Sequence, residues 1–234
     1  MKYLLLLTLF ASFAAKSQKV VFLEKADTIQ KPEYQIFIYI DDKTDLADVV
    51  YVGKIKATGE LKDVSGLFNS IKASAQKVGA TAFKFESFQK TDAENGELVL
   101  SVYFVEGDFF DRNFLNIPAN RIFIFGSPDL SDNKSQGYKL DGKKYEIESG
   151  KFQQFDIPEN KEIKIVKGGI TGMAVWVKRN ASGYSSFFGF SGIGVNQVGI
   201  TAGGGGGISI NTGTIHRIEP NLALALLRIY TEKK

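Results

Sequence analysis

The chain has 234 residues, 29 of them basic and 26 acidic, with one histidine, no cysteine and 44% apolar residues. This balance excludes collagen-like, highly charged disordered and disulfide-stapled chains, and it leaves no room for thiol chemistry or a histidine-rich metal site. The formal charge of +3 is set largely by Lys2 and Lys16, two bases that stand in an N-terminal stretch without a single acid.

That stretch, residues 1–17, has the pattern of an export signal: a positive start at Lys2, an uncharged and mostly apolar run from Tyr3 to Ala15, then the small residues Ala15 and Ser17. The run is shorter than the roughly 20 residues a helix needs to cross a bilayer. Cleavage after Ser17 would leave Gln18 first, and without cysteine there is no thiol to carry a lipid there. The expected location is the periplasm or the outer membrane's surface.

Residues 18–118 read as a small α+β domain, an antiparallel sheet with one main helix. Tyr34 to Ile40 and Val49 to Lys56 are rich in β-branched and aromatic residues and predict strands. Val64, Leu67, Phe68, Ile71, Ala75 and Val78 then recur at spacings of three and four, which places them on one face of a helix. Asp63 or Ser65 can cap its start, and Gly79 suits its end. Thr81 to Phe88 and Glu97 to Val105 predict two further strands, with Asn95-Gly96 as the tight turn between them.

The segment from Leu67 through Gly79-Ala80-Thr81-Ala82 to Phe83 resembles the helix, Gly-Ala-x-Ala, strand unit of small bacterial α+β domains. Examples are the YbjQ-like family and the Rcs stress-sensor lipoprotein of enterobacterial envelopes. The resemblance implies a fold and an envelope setting. It does not carry over that lipoprotein's disulfides or lipid anchor, because the cysteines have no counterparts here.

Phe109 to Asn120, with Pro118, interrupts the alternation and marks the expected boundary. From residue 119 to 234 short strands follow one another: Ile122 to Phe125, Tyr138 to Leu140, Lys143 to Ile147, Phe152 to Ile157, Glu162 to Val166 and Met173 to Lys178. Asp141-Gly142 supplies a two-residue hairpin and Ser149-Gly150 another turn. This spacing predicts a β-sandwich domain. Lys139 to Phe155 resembles small exported β-sandwich domains of the DUF2846 or PEGA kind, which implies the same fold class. Asn221 to Tyr230 is ambiguous: the alternation of Leu222, Leu224 and Leu226 favours a closing strand, while the leucines and alanines are strong helix formers and Pro220 suits a helix start. Residues 19–118 hold 12 bases and 16 acids, residues 119–234 hold 15 and 10. The asymmetry suits two domains, and the second half reads as an ordinary solvated surface or as one mildly attracted to anionic surfaces. No concentrated basic run suggests a nucleic-acid partner.

Within the second half, residues 181–215 form an insertion without one Asp, Glu, Lys or Arg, and with eleven glycines, five of them consecutive at Gly203 to Gly207. Apolar surface of this kind demands cover, either as hairpins packed on their own domain or by a partner or membrane surface outside it. Tyr184, Phe187, Phe188, Phe190, Ile193, Val195, Val198 and Ile200 are therefore the candidate partner-binding residues. The glycines lack the spacing and the lysine of phosphate-cradling loops.

His216 is the one imidazole through which a hydrolytic triad could pass, with Ser209 or Ser191 as nucleophile and Glu219 as orienting acid, yet no Gly-x-Ser-x-Gly elbow occurs. Asp41, Asp42, Asp45 and Asp48 lack the ligand spacing of a calcium loop. No catalytic residue, metal site or cofactor is expected. The expected role is an exported, non-enzymatic accessory or binding subunit of an envelope complex, with a secreted hydrolase using His216 and a small-ligand or calcium-binding protein as alternatives.

Overall fold

The computed structural model describes residues 18–26, 36–169, 172–179, 181–191, 194–197, 208–211 and 213–234. Residues 1–17, on which the export-signal expectation falls, and the positions of Ile193, Val198, Ile200 and Gly203 to Gly207 lie outside them. The described chain is α+β and dominated by strands.

Its first part contains β1 (Lys19–Lys25), β2 (Ile38–Tyr39), β3 (Val50–Glu60), helix α1 (Val64–Lys77), β4 (Ala82–Lys90), β5 (Asn95–Phe104) and a short helix α2 (Phe109–Phe114). The five strands form sheet I in the order β1-β3-β5-β4-β2, antiparallel except where β2 runs parallel to β4. Helix α1 buries Val64, Leu67, Phe68, Ile71 and Ala75, the stripe set by its periodicity. Asp63 caps it by accepting from the Gly66 N–H at 2.9 Å, and Gly79, at φ +87°, supplies the left-handed stop. One turn differs from expectation. Asn95 and Gly96 belong to β5, and the reversal before them is built by Asp92, whose Oδ1 accepts from the N–H groups of Glu94 and Asn95 at 2.8 Å each.

The second part supplies β6 (Arg121–Phe125), β7 (Ser135–Leu140), β8 (Lys143–Glu148), β9 (Lys151–Asp156), β10 (Ile163–Lys167), β11 (Met173–Val177), β12 (Ser186–Ser191), β13 (Gly194–Gln197), β14 (Ile208–Asn211), β15 (Thr214–Arg217), helix α3 (Pro220–Ile229) and β16 (Thr231–Glu232). Sheet II has the order β15-β12-β6-β9-β16 and sheet III the order β11-β10-β7-β8, while β13 and β14 pair with each other. Asp141 and Gly142 both have positive φ, as the expected hairpin turn between β7 and β8 requires. Sheets II and III share a core of Ile122, Ile124, Tyr138, Ile147, Ile165, Phe188 and Phe190.

The segment after Pro220 is helical as far as Ile229, not the strand that its alternation favours. Glu219 caps it, and Pro220 takes a first-turn position where its missing N–H costs nothing. Four consecutive residues, Ala223, Leu224, Ala225 and Leu226, are buried because α3 touches β2 and β4 of sheet I on one side and β12 of sheet II on the other. The largest apolar core therefore crosses residue 118: Phe68, Ile71, Phe83 and Leu100 from the first part lie in one cluster with Phe123, Phe125, Phe187, Leu224 and Tyr230 from the second.

Candidate functional site

Where sheet I, α2, the start of α3 and the approach to β12 meet, the surface folds into a cleft of about 420 Å³. Phe110, Phe114, Ile117, Phe187 and Leu224 line it, with Tyr184 at the rim. The Tyr184 and Phe114 rings lie 4.8 Å apart, and Tyr184 keeps 58% of its surface exposed. Leu115, next in the chain to Phe114 but not part of the lining, is 83% exposed. Ser185 fixes this rim: its Oγ donates to Pro118 O at 2.7 Å and accepts from Arg121 N–H at 3.0 Å.

Two asparagines set the polar floor. Asn221 Oδ1 accepts from Tyr39 N–H at 2.9 Å, while its Nδ2 donates to Glu219 at 2.7 Å. Asn113, buried on α2, donates from Nδ2 to Tyr39 O at 2.7 Å and accepts from Asp41 N–H and the Thr44 hydroxyl. Their amides hold the cleft's wall in place. Beside them, burial pushes the Tyr39 hydroxyl up to about 12, with Arg228 opposing and Asp41 and Asp42 adding to the shift. The site is thus an apolar slot with rigid polar edges, the composition expected of a binding pocket. Neither asparagine was flagged by sequence. The available signal was a poor helix former, Asn113, set inside the aromatic run Phe109 to Phe114.

The expected partner-binding residues divide. Tyr184 and Phe187 reach the cleft. Phe187, Phe188 and Phe190 are not surface residues: they are 5%, 0% and 2% exposed, because β12 is an internal strand of sheet II with both faces covered. Phe187 stacks on Phe123 at 5.3 Å toward the core shared with α3. Phe188 and Phe190 point the other way, and Phe190 meets Tyr138 at 5.1 Å. Val195 is in β13 opposite Ile210. Ile193, Val198 and Ile200 lie outside the described residues.

His216 stands in β15 directly across from Gly189, and a Cβ on that glycine would come within 2.5 Å of Nε2. The imidazole lies at a pocket of about 200 Å³ shared with Ser65, Arg217 and Glu219. Loss of hydration against these neighbours draws its pKa below the ordinary value, although the residue is still partly open to solvent. Glu219 is committed elsewhere: its carboxylate accepts from Asn221 N–H at 3.1 Å and Leu222 N–H at 2.8 Å as the α3 cap. Among the described residues, no hydrogen bond links the imidazole to a serine or an acid. The acidic turn is likewise occupied. Asp41 and Asp45 accept from backbone N–H groups, Asp42 pairs with Lys84 and Arg228, and Asp48 with Arg112.

No protein-family model and no curated protein matches this chain. Among solved structures, the crystal structure of the Francisella virulence factor FvfA is similar over 38% of this chain and 100% of its own, at 14% identity and a TM-score of 0.29.

Proposed function

We propose that this chain is an exported, non-enzymatic binding subunit of a cell-envelope complex, acting in the periplasm or at the outer membrane. In this reading a small α+β module and a β-sandwich module, residues 18–118 and 119–234, close on α3 and hold the cleft between them. The observation that carries the reading is the apolar slot itself, lined in part by the exposed Tyr184, with Leu115 exposed at the end of α2 nearby in sequence. A small ligand would fill the slot and leave Leu115 in water. An apolar side chain on a partner protein would fill it and cover the rim as well, in the manner of a buried anchor surrounded by near-neutral contacts.

The test places a photo-crosslinking aromatic residue at position 184 in the expressing cell and separates the envelope fraction. A discrete adduct is expected, and Leu115→Asp should abolish it while leaving the amount of folded protein unchanged. Absence of any adduct, or an adduct indifferent to Leu115→Asp, would sink the reading. A thermal shift produced by a free fatty acid or other apolar small molecule, with no adduct, would favour the small-ligand alternative.

A further inference from the structure

The outer face of sheet III carries a pattern that the cleft does not use. Tyr138, Leu140, Ile147, Ile163, Ile165 and Val177 point into the core shared with sheet II. Strand alternation therefore turns Lys139, Lys144, Lys164, Val166, Ala174 and Trp176 outward. Register brings them together: Lys139 lies directly across from Lys144 and also beside Val166, Val166 faces Ala174, and Lys164 faces Trp176.

Two like charges directly opposed across a strand pair destabilise a sheet. None of the three lysines forms an ion pair within 4 Å among the described residues. Around the same sheet Lys161 pairs with Asp141, Lys178 with Glu162 and Lys233 with Glu148, while Lys143 lies over the Tyr145 ring. The acids within the outward row are Glu146, opposite Gly137, and Glu148, opposite Ser135 and paired with Lys233. Trp176 is 54% exposed, with the Lys164 ammonium 5.1 Å from its ring centre. Between Lys139 and Lys144 the surface dips into a hollow of about 280 Å³, where Gly137 and Gly168 contribute no side chain.

We propose that this face docks on an anionic lipid bilayer, with the three lysines meeting headgroup phosphates and Trp176 entering the interfacial zone. Unpaired lysines supply long-range attraction to such a surface. The indole, apolar in body and polar at its N–H, prefers the boundary between headgroups and hydrocarbon. A soluble polyanion would satisfy the lysines and leave Trp176, Val166 and Ala174 in water. The docking face is separate from the cleft, so the two proposals stand or fall independently.

Trp176 is the sole tryptophan of the chain, so its emission reports on this face alone, whatever the leader does. The full chain is titrated with vesicles of phosphatidylglycerol and phosphatidylcholine, with vesicles of phosphatidylcholine alone, and with dextran sulfate. The expected result is a blue shift and quenching by brominated lipid on the anionic vesicles only, reversed by high salt. Neutralising all three positions, as Lys139→Gln, Lys144→Gln and Lys164→Gln together, should weaken partitioning by roughly a hundredfold, about fivefold for each lysine. Unchanged emission on anionic vesicles, an equal shift on neutral ones, or an equal shift with dextran sulfate would each overturn the proposal. Trp176→Ala, followed by vesicle sedimentation, should also weaken binding. Undiminished sedimentation of that variant would count against entry of the indole into the bilayer.

Discussion

Asn113 spends its whole side-chain amide on backbone and hydroxyl partners: Nδ2 on Tyr39 O at 2.7 Å, Oδ1 on Asp41 N–H at 3.0 Å and on the Thr44 hydroxyl at 2.8 Å. The carbonyl at 39 and the N–H at 41 flank Ile40, and they are the pair that a neighbouring parallel strand would satisfy. Asn221 takes the Tyr39 N–H in the same way. Side chains from α2 and α3 thus blunt the β2 edge of sheet I, which would otherwise offer unpaired groups to a foreign strand. Removing Asn113 as Asn113→Ala leaves a buried carbonyl, an N–H and a hydroxyl short of partners. At ~1–3 kcal/mol for each unsatisfied group, less what water recovers, the expected loss is about 3 kcal/mol in a urea titration. A loss below about 1 kcal/mol would show that water replaces the amide freely. Nothing local in the sequence marks this role, because the three partners lie some seventy residues upstream and meet Asn113 only in the finished fold.

Helices α1 and α3 show which elements sequence can reveal. One covered face left α1 with a clear period of three and four, a cap at Asp63 and a stop at Gly79, and all three signals point the same way. Helix α3 is short and buried at four consecutive positions, Ala223 to Leu226, and its leucines at 222, 224 and 226 also alternate as in a strand. Ala223 and Ala225 stand about 200° apart around the helix, yet they are 0% and 1% exposed. Ala223→Leu and Ala225→Leu should therefore each destabilise the protein, by ~1–3 kcal/mol through overpacking, as read by thermal or urea unfolding. A helix covered on one side would tolerate one of the two, and that outcome would contradict the enclosed position. Strand β12 follows the same logic. Its phenylalanines demanded burial, and composition recorded the demand. The cover came from sheet III on one face and from α3 with its neighbours on the other, which no short-range pattern could indicate.

Because Phe68 and Leu100 share one cluster with Phe123 and Leu224, the two parts of the molecule support one another across residue 118. Unfolding should be a single transition. Trp176 emission from sheet III and amide exchange in β5 of sheet I should give the same midpoint, and Leu224→Ala should lower both together. Separate midpoints would mean two independent units. The α+β class and most strands of the second part were readable from alternation and turn residues such as Asp141-Gly142. The cleft was not, since its lining is gathered from four separate stretches of chain by long-range packing. A further consequence follows from α3 and β16, which complete the shared core and pair with β9 only after more than two hundred residues have been made. Until that point the nascent polypeptide lacks the piece that locks its layers. Its layers are therefore expected to close on one another only when that final helix arrives.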